Sequence, residues 1–302
     1  MNHRFVRCLK CEFVPDGAVG ESRNALGPDP ERALTEARYP LDKKGERIQS
    51  RKREAHVVQT WVVNFANAFK QAQLALMDSL RTSRESAVRE ALGLVEDQDP
   101  IGLGSGSTVE LLVDKMAEQG FLNRRFVVAS RATQLKLMSY GVAAFDLYSN
   151  LRPELTFDGA DKVDPSLNLI KGGGAALLAE RLLAERTRSY IIVVDDQKLV
   201  PDVLMYPIPV EIEPISYQNL VYELRGMGLT FDVRIGSGKN GPLVTDNGNW
   251  VIDVQVGSSG IEAGELRDVL KRLTGVVDVG VFSGLATSVY VAGEGGVKVM
   301  HR

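Results

Sequence analysis

The sequence predicts an α/β fold in which a mostly parallel β-sheet carries helices on both faces, with a smaller α+β region after it. Two observations lead to this prediction. Between residues 83 and 206, short apolar runs alternate with helical segments, which is typical of parallel sheets covered on both faces. After Pro207 strand-like runs become more frequent, which indicates a second, smaller unit.

The elements of the main unit follow one another closely. Its predicted strands are Ile101–Leu103, Phe126–Ala129, Val142–Leu147, Leu155–Phe157 and Tyr190–Val194. Its predicted helices are residues 83–95, Val109–Gln119, Ala132–Tyr140 and a segment that runs to Arg186. Pro100 stops the first of these helices, and Gly120 and Gly141 are suitable residues for closing the next two.

The smaller unit combines strand-like and helical runs. Strands are predicted at Phe231–Ile235, Trp250–Val256 and Val277–Val281, and helices at Ser216–Met227 and Glu265–Leu273. The tail segments Ser288–Val291 and Val297–Val299 are expected to return a strand to the main sheet. We therefore expect an N-terminal extension over 1–80, a main α/β domain over 81–206 and 283–302, and a smaller α+β domain over 207–282.

The N-terminal extension has little periodicity in its first 55 residues and predicts a mobile, solvated leader. Residues 56–80 follow a helical pattern that is too short and too polar to span a bilayer. Cys8 and Cys11 form a single C-x-x-C near His3, which lacks the second ligand pair of a zinc ribbon. We expect neither a metal nor a redox role for this motif.

Composition excludes several classes of protein. The chain has 302 residues, of which 44% are hydrophobic and 25% charged, as expected for a globular protein with a sizeable core. A net charge of -3 gives no reason to expect nucleic-acid binding, and no apolar run is long enough to cross a membrane. The two cysteines and the absence of a secretory h-region favour a cytoplasmic location.

A glycine-serine turn joins the first strand to its helix. Gly104, Ser105, Gly106, Ser107 and Thr108 place backbone N–H groups and hydroxyls at a helix start, where the helix dipole favours an anion. The turn is neither a dinucleotide fingerprint nor a P-loop, because Ser107 replaces a required glycine and no lysine precedes it. The alternative is a tight structural turn capped by Ser107.

A second group of polar residues lies between residues 155 and 180. Asp158 and Asp161 follow a predicted strand, Lys171 precedes Gly172, Gly173 and Gly174, and Glu180 lies near the start of the next helix. Ligands of open α/β sheets bind at the carboxyl ends of strands, so this group predicts an anion-binding, acid–base site. Asp-Gly turns, a flexible glycine loop and a solvated glutamate are the structural alternatives.

Histidine does not contribute to this chemistry. The chain has His3, His56 and His301, all near its ends or in the leader. Proton transfer in the central region must therefore fall to carboxylates and lysines.

Together these motifs resemble the ribose-5-phosphate isomerase type A family. The resemblance rests on GLGSGST at 102–108, DGAD at 158–161, LNLIKGGGAAL at 167–177, GPLVTDNGN at 241–249 and GVVDVGVF at 275–282. It covers about Ser83 to Val299 without obvious gaps, and the residues before 80 lie outside it.

The resemblance implies a Rossmann-like catalytic domain with an α+β lid, dimeric or tetrameric, without metal or cofactor. It implies an aldose–ketose isomerase that interconverts ribose 5-phosphate and ribulose 5-phosphate through an enediolate, in the non-oxidative pentose phosphate pathway. The expected partner is a small-molecule sugar phosphate, not a nucleic acid or a membrane.

The resemblance also assigns roles by position. Glu180 is expected to be the base, with Asp158, Asp161 and Lys171 completing the catalytic group. The substrate-binding residues are expected to be Ser105, Gly106, Ser107, Thr108, Asp158, Gly159, Ala160, Asp161, Lys171, Gly172, Gly173, Gly174 and Lys198. We expect the helix start to favour the ionised form of Glu180, and Lys198 or Arg84 to balance the phosphate.

Two positions depart from the family pattern. Lys162 stands where the family usually has an acidic residue, and it either places a positive charge beside Asp161 or faces solvent. Arg84 stands where the family often has lysine, which keeps the charge but not the geometry. A non-catalytic sugar-phosphate sensor and a related deaminase or acyl-CoA transferase are the alternatives to an isomerase.

Overall fold

The computed structural model describes most of the chain after residue 83 and one segment before it. The described residues are 62–71, 84–238, 240–257, 260–293 and 295–302. The chain divides into two compact units, Met1–Gln71 and Ala72–Arg302. In the first unit, residues 62–71 form a helix, α1, within the predicted helical stretch. The predictions for the leader, for Cys8 and Cys11, and for the rest of that stretch lie outside the described residues.

The second unit contains six described α-helices and fourteen described strands. The helices are α2 (84–92), α3 (Ser107–Glu118), α4 (Arg131–Met138), α5 (Leu177–Glu185), α6 (Tyr217–Gly226) and α7 (Ala263–Lys271). The first seven strands are β1 (Ile101–Leu103), β2 (Phe126–Val128), β3 (Ala144–Phe145), β4 (Leu155–Asp158), β5 (Lys162–Val163), β6 (Leu169–Ile170) and β7 (Ser189–Asp195). The others are β8 (Ile208–Ile212), β9 (Thr230–Val233), β10 (Trp250–Gln255), β11 (Val276–Val279), β12 (Val281–Phe282), β13 (Ser288–Gly293) and β14 (Gly296–His301).

The main sheet has seven strands in the order β14-β13-β7-β4-β1-β2-β3. All neighbouring pairs are parallel except β13 and β14, so the predicted mostly parallel sheet is confirmed. The tail does return to this sheet as β13 and β14. The predicted strand Val142–Leu147 is shorter than expected, because only Ala144 and Phe145 pair with β2 at the sheet edge.

Strands β2 and β3 are added on one side of β1, and β4, β7 and β13 on the other. This change of direction determines where the site lies. Residues of β1 pair with β2 on one side and with β4 on the other. The chain therefore leaves the carboxyl ends of β1 and β4 in opposite directions and opens a crevice between them, where open α/β sheets bind ligands. The turn at residues 104–107 and the loop at residues 159–161 both begin at this crevice.

Strand β7 shows how the sheet is covered on both faces. Ile191 and Val193 pack into a cluster with apolar residues of α2 and α3. Tyr190, Ile192 and Val194 point to the opposite face and pack with residues that include Ala184 of α5. Because both faces of the strand are buried, its sequence is a continuous apolar run without polar alternation.

The smaller unit is a four-stranded antiparallel sheet in the order β11-β8-β10-β9, with α6 and α7 packed against it. A separate three-stranded sheet has the order β12-β6-β5, and its strands β5 and β6 lie between Asp161 and Lys171 in the sequence. Within the described ranges, no helix has the length and apolar character needed to cross a bilayer.

Candidate active site

The turn after β1 packs directly against the end of β4. The N–H of Gly104 donates to the carbonyl of Phe157 at 2.9 Å, which extends the parallel pairing by one residue. A side chain at Gly104 would overlap the carboxylate of Asp158. Glycine at this position therefore leaves room for the carboxylate of Asp158 beneath the loop.

Lys171 lies at the centre of the site. Its Nζ is 2.9 Å from Oδ1 of Asp158 and 2.9 Å from Oε1 of Glu180. The same ammonium group donates to the carbonyl of Gly159 at 2.7 Å. An ammonium group has three N–H donors, so these contacts account for all of them. Lys171 therefore has no spare N–H donor for a further partner.

The glycine turn brings Lys171 and Glu180 together. Lys171 follows β6, and its N–H donates to the carbonyl of Gly280 at 2.8 Å. Gly172 then takes a φ of 107°, which favours glycine. The chain reverses and enters α5, whose first turn carries Glu180. Lys171 and Glu180, which are nine positions apart in the sequence, thus form a buried ion pair.

Asp158 is fully buried and surrounded by donors. Its Oδ1 accepts from the N–H groups of Ser105 at 3.2 Å and Gly159 at 2.8 Å, in addition to its contact with Lys171. Its Oδ2 accepts from the hydroxyl of Tyr190 at 2.7 Å. These contacts hold both oxygens of the side chain in place. Tyr190 was not among the predicted site residues, although a tyrosine in a buried apolar strand needs a partner for its hydroxyl.

Glu180 is buried but incompletely hydrogen-bonded. Its Oε1 accepts from the hydroxyl of Ser105 at 2.6 Å and from Lys171. Its Oε2 is buried and has no hydrogen-bond partner among the described residues. One oxygen is therefore held in place while the other is left without a protein donor.

Burial raises the pKa of Glu180 to about 7, although the charge of Lys171 opposes this shift and Asp158 adds to it. The net shift is opposite to the direction expected from the helix start, because loss of hydration is its largest cause. For Lys171, burial lowers the pKa, but Asp158 and Glu180 together outweigh it and raise the pKa above its ordinary value. The lysine stays charged while the glutamate exchanges a proton near neutral pH.

Asp161 lies on the other side of the glycine turn. Its Oδ2 accepts from the N–H of Gly173 at 2.7 Å, and a side chain at Gly173 would overlap this carboxylate. Asp161 is half-buried, in contrast to Asp158. The neighbouring Lys162 turns away, with its Nζ 4.6 Å from the ring centroid of Tyr206.

The glycine-serine turn faces this group. A side chain at Gly174 would come 3.7 Å from Oγ of Ser105. Gly106 precedes α3 with a φ of 88° and no side chain caps the helix, so the capping role considered for Ser107 is wrong. Ser107 is exposed and Thr108 half-buried at this helix start, where N–H groups remain for an anion.

Lys198 and Arg84, the two cationic residues expected to balance the phosphate, lie near the end of β7. Lys198 ends a short 3-10 helix that follows this strand, and it is half-buried. In the described part of the chain no ion pair joins it to the Asp158–Lys171–Glu180 cluster. Arg84 pairs with Asp195 at 2.9 Å, so its charge is partly neutralised. Lys198 is therefore the better candidate for balancing a phosphate.

The structure brings together most of the predicted residues. Ser105, Asp158, Gly159, Lys171 and Glu180 share direct contacts, and Asp161 joins them through Gly173. Ala160 is half-buried in the loop between the two aspartates. In the described ranges, no group of three or more His, Cys, Asp or Glu side chains is arranged to hold a metal ion.

A buried carboxyl group that titrates near neutrality beside a fixed ammonium group suits an enzyme that moves protons on carbon next to a carbonyl. Fold and cluster together are thus typical of an α/β isomerase. Comparison with known proteins identifies a single family. The ribose 5-phosphate isomerase A (phosphoriboisomerase A) family profile matches residues 125–296. The chain belongs to this family.

Individual relatives and structures agree with this assignment. A ribose-5-phosphate isomerase A of Archaeoglobus fulgidus is 40% identical over 223 residues, which cover 72% of this chain and 97% of the relative. The ribose 5-phosphate isomerase A structure from Methanocaldococcus jannaschii has a TM-score of 0.68 and 32% identity, covering 74% of this chain and all of that one. A D-ribose-5-phosphate isomerase in complex with phospho-erythronic acid has a TM-score of 0.70 and 32% identity, covering 74% and 99%.

Proposed function

We propose that this protein interconverts D-ribose 5-phosphate and D-ribulose 5-phosphate through an enediolate, with Glu180 as the base. The observation that carries the proposal is the carboxyl group of Glu180, which has a pKa of about 7, one anchored oxygen and one buried oxygen without a partner among the described residues. A base with this pKa exchanges protons in both directions at neutral pH.

The first step is removal of the C2 proton of the open-chain aldose. Ionised Glu180 takes the proton, the electrons of the C–H bond form the C1–C2 double bond, and the carbonyl oxygen becomes the negative end of the enediolate. The same carboxyl returns the proton to C1 to give the ketose. One group is sufficient because the two carbons are neighbours, and Oε2 is available for both transfers.

The enediolate needs positive charge close to it. Lys171 supplies a fixed charge from beneath the cluster, and the glycine turn supplies backbone N–H groups, of which that of Gly173 already donates to Asp161. Such preorganised charge stabilises the intermediate more than the neutral sugar. Since the three N–H donors of Lys171 are already used, we assign direct hydrogen bonding to the N–H groups of the turn.

A second carboxyl must move protons between the two sugar oxygens and assist opening of the ring. We propose Asp161 for this role. Asp158 is less suited, because its two oxygens are occupied by Ser105, Gly159, Lys171 and Tyr190 and it is completely buried. Asp161 is half-buried and accepts a hydrogen bond from the glycine turn.

The phosphate group is proposed to bind the turn from Ser105 to Thr108. The uncapped N-terminus of α3 supports this, since its N–H groups and dipole favour a dianion. Lys198 adds a positive charge from the end of β7. This arrangement leaves the sugar between the phosphate-binding turn and Glu180.

The proposal is tested by an isomerase assay on the full-length protein with ribose 5-phosphate, in buffer containing a chelator and no nucleotide. We expect conversion by the wild-type protein and at least a roughly thousandfold loss in Glu180→Gln, which keeps the shape of the side chain but removes the base. Glu185→Gln, an exposed change on the same helix, is the matched control. An active Glu180→Gln protein would remove Glu180 from its role, and an inactive wild-type protein would overturn the function.

Three further properties are proposed with the function. The low cysteine content supports a cytoplasmic location. The separate four-stranded sheet supports a lid over 207–282 and a catalytic domain over 81–206 and 283–302, with 1–80 as an extension.

A homodimer or homotetramer is tested by light scattering on the purified protein. A shortened chain that begins near Leu80 tests whether the extension is needed for activity.

A further inference from the structure

Arg234 of the smaller unit reaches the glycine turn of the site. It follows β9, its backbone N–H donates to the carbonyl of Val251, and its carbonyl accepts from the N–H of Leu243. Its Nη1 donates to the carbonyl of Gly172 at 2.5 Å, and a longer contact of 3.3 Å reaches the carbonyl of Gly173. The side chain is only 18% exposed. A residue anchored beside the antiparallel sheet therefore contacts the turn that shapes the site.

Asp253 on β10 fixes the direction of this guanidinium group. Nε of Arg234 donates to one carboxylate oxygen of Asp253 at 2.9 Å, and Nη2 donates to the other. A pair of bonds of this kind orients the plane of the guanidinium group as well as its charge. Because Nε and Nη2 are held on Asp253, Nη1 is the nitrogen that faces the carbonyl of Gly172.

The peptide group that joins Gly172 to Gly173 is held at both ends. Its C=O accepts from Arg234, and its N–H donates to Oδ2 of Asp161 at 2.7 Å. This peptide is trans, and in a planar trans peptide the C=O and the N–H point in opposite directions. The direction in which Arg234 holds the C=O therefore determines the direction in which the N–H meets Asp161.

Glycine on both sides gives this peptide group few restraints of its own. Gly172 has a φ of 107°, and glycine exchanges between backbone conformations at little cost. The same C=O also accepts from the N–H of Ala175 at 2.9 Å, which closes the turn. That bond lies within the turn and moves with it, whereas Arg234 is anchored in another sheet. Arg234 therefore fixes the turn relative to the rest of the molecule.

We propose that Arg234 is a positioning residue for the isomerisation, which holds the peptide between Gly172 and Gly173 so that its N–H keeps Asp161 in place. The inference rests on the proposed function, in which Asp161 moves protons between two sugar oxygens. Arg234 acts on Asp161 through one peptide group and has no direct role in the proton transfer. The smaller unit thus contributes to catalysis through a hydrogen-bonded peptide.

Loss of the guanidinium group should slow the reaction without altering the base. In Arg234→Met the carbonyl of Gly172 keeps only the donor from Ala175, so Asp161 is held in its productive position for a smaller fraction of the time. Glu180 keeps its own hydrogen bonds. We expect kcat to fall about tenfold, the effect of one hydrogen bond that involves a charged group, while KM stays within about threefold. The acidic limb of kcat/KM should keep a midpoint close to that of the wild type.

The test measures kcat and KM for ribose 5-phosphate as a function of pH in Arg234→Met and in Arg225→Met, a matched change at an exposed arginine on α6. Arg225→Met should keep the wild-type values. Arg234→Lys keeps a cation but not the forked geometry, so it should recover part of the lost kcat. Wild-type kcat in Arg234→Met overturns the proposal. So does a loss of activity with a displaced acidic limb, because that result would place the effect on Glu180.

A double-mutant cycle with Asp161→Asn tests the route of the effect. The asparagine cannot move protons between the sugar oxygens, so this variant lacks the function that Arg234 supports. In the Asp161→Asn background, Arg234→Met should lower kcat by less than about twofold. A further loss of about tenfold, as in the wild-type background, would contradict the proposal, because Arg234 would then act on another group or on folding.

Crystal structures of the wild-type protein and of Arg234→Met separate this inference from the proposed function, because they do not depend on activity. We expect the hydrogen bond from Gly173 to Asp161, 2.7 Å in the wild type, to lengthen beyond about 3.5 Å in the variant. An unchanged bond would refute the positioning role even in an active enzyme. An inactive wild-type protein whose variant loses the bond would end the isomerase proposal but support the positioning of Asp161 by Arg234.

Discussion

The hydroxyl of Ser105 lies 2.6 Å from Oε1 of Glu180, although the two residues are 75 positions apart. This contact joins the glycine-serine turn after β1 to the first turn of α5. The turn proposed to bind the phosphate and the proposed base are therefore directly joined. A substrate anchored at the turn is presented to Glu180 at a fixed distance, which is the main requirement for proton transfer.

Ser105→Ala is expected to weaken the base at neutral pH. The serine hydrogen bond lowers the pKa of Glu180 against the larger effect of burial, so its removal raises that pKa further. A hydrogen bond to a charged group contributes about 1.5 kcal/mol, so kcat/KM at pH 7 should fall about tenfold. Ser139→Ala, at an exposed serine after α4, is the control. A variant that lost activity but kept its pH profile would place Ser105 on the substrate alone.

The wild-type pH profile is the second prediction. A general base must be ionised, and burial raises the pKa of Glu180 to about 7. The value of kcat/KM should therefore fall as pH decreases through 7, with about a tenfold difference between pH 8 and pH 6. The substrate phosphate titrates near pH 6, so the Ser105→Ala profile is the necessary comparison. If the acidic limb of kcat/KM has the same midpoint in Ser105→Ala as in the wild type, that limb reports titration of the substrate phosphate and not of Glu180.

Lys171→Met is expected to destabilise the fold in a pH-dependent way. The change leaves Asp158 and Glu180 buried without a cation, and removing one partner of a buried ion pair costs about 3–5 kcal/mol. At pH 5 Glu180 is protonated, because its pKa is about 7, so fewer charges are left uncompensated. Urea unfolding should show a larger loss at pH 8 than at pH 5. Lys298→Met, at an exposed position of β14, should change stability little at either pH.

The comparison between sequence and structure is informative at particular residues. Asp158, Lys171 and Glu180 could be assigned to one site because a strand end, a glycine turn and a helix start follow each other in sequence. The bond from Tyr190 to Asp158 could not, since it depends on the register that pairs Tyr190 with Thr156. The pKa of Glu180 depends on how completely the site is buried, which packing of several distant segments decides. Lys198 or Arg84 was expected to balance the phosphate, and the pairing of Arg84 with Asp195, 111 positions away, could not be predicted from the sequence.

Gly104→Ala tests the close packing beneath the site. The added methyl group would overlap the carboxylate of Asp158, so the aspartate must move away from Lys171. Overpacking of this kind costs about 1–3 kcal/mol, and displacement of the cluster should lower kcat about a hundredfold. Gly226→Ala is the control, because that glycine ends α6 and has open space around it. Wild-type kcat in Gly104→Ala would show that Asp158 tolerates displacement and would weaken its assigned role.

Lys198→Met tests the assignment of a phosphate cation at the end of β7. Lys198 lies outside the buried cluster, so its loss should leave Glu180 and its pKa unaffected. The KM for ribose 5-phosphate should rise about tenfold, as expected for one charge-assisted contact, while kcat stays within about twofold. The salt dependence of KM should also become weaker, because exposed charges are screened at ionic strengths near 0.1 M. Arg84→Met is the informative comparison, because Arg84 already pairs with Asp195 at 2.9 Å; a larger rise in KM from Arg84→Met than from Lys198→Met would reverse the assignment of the two cations.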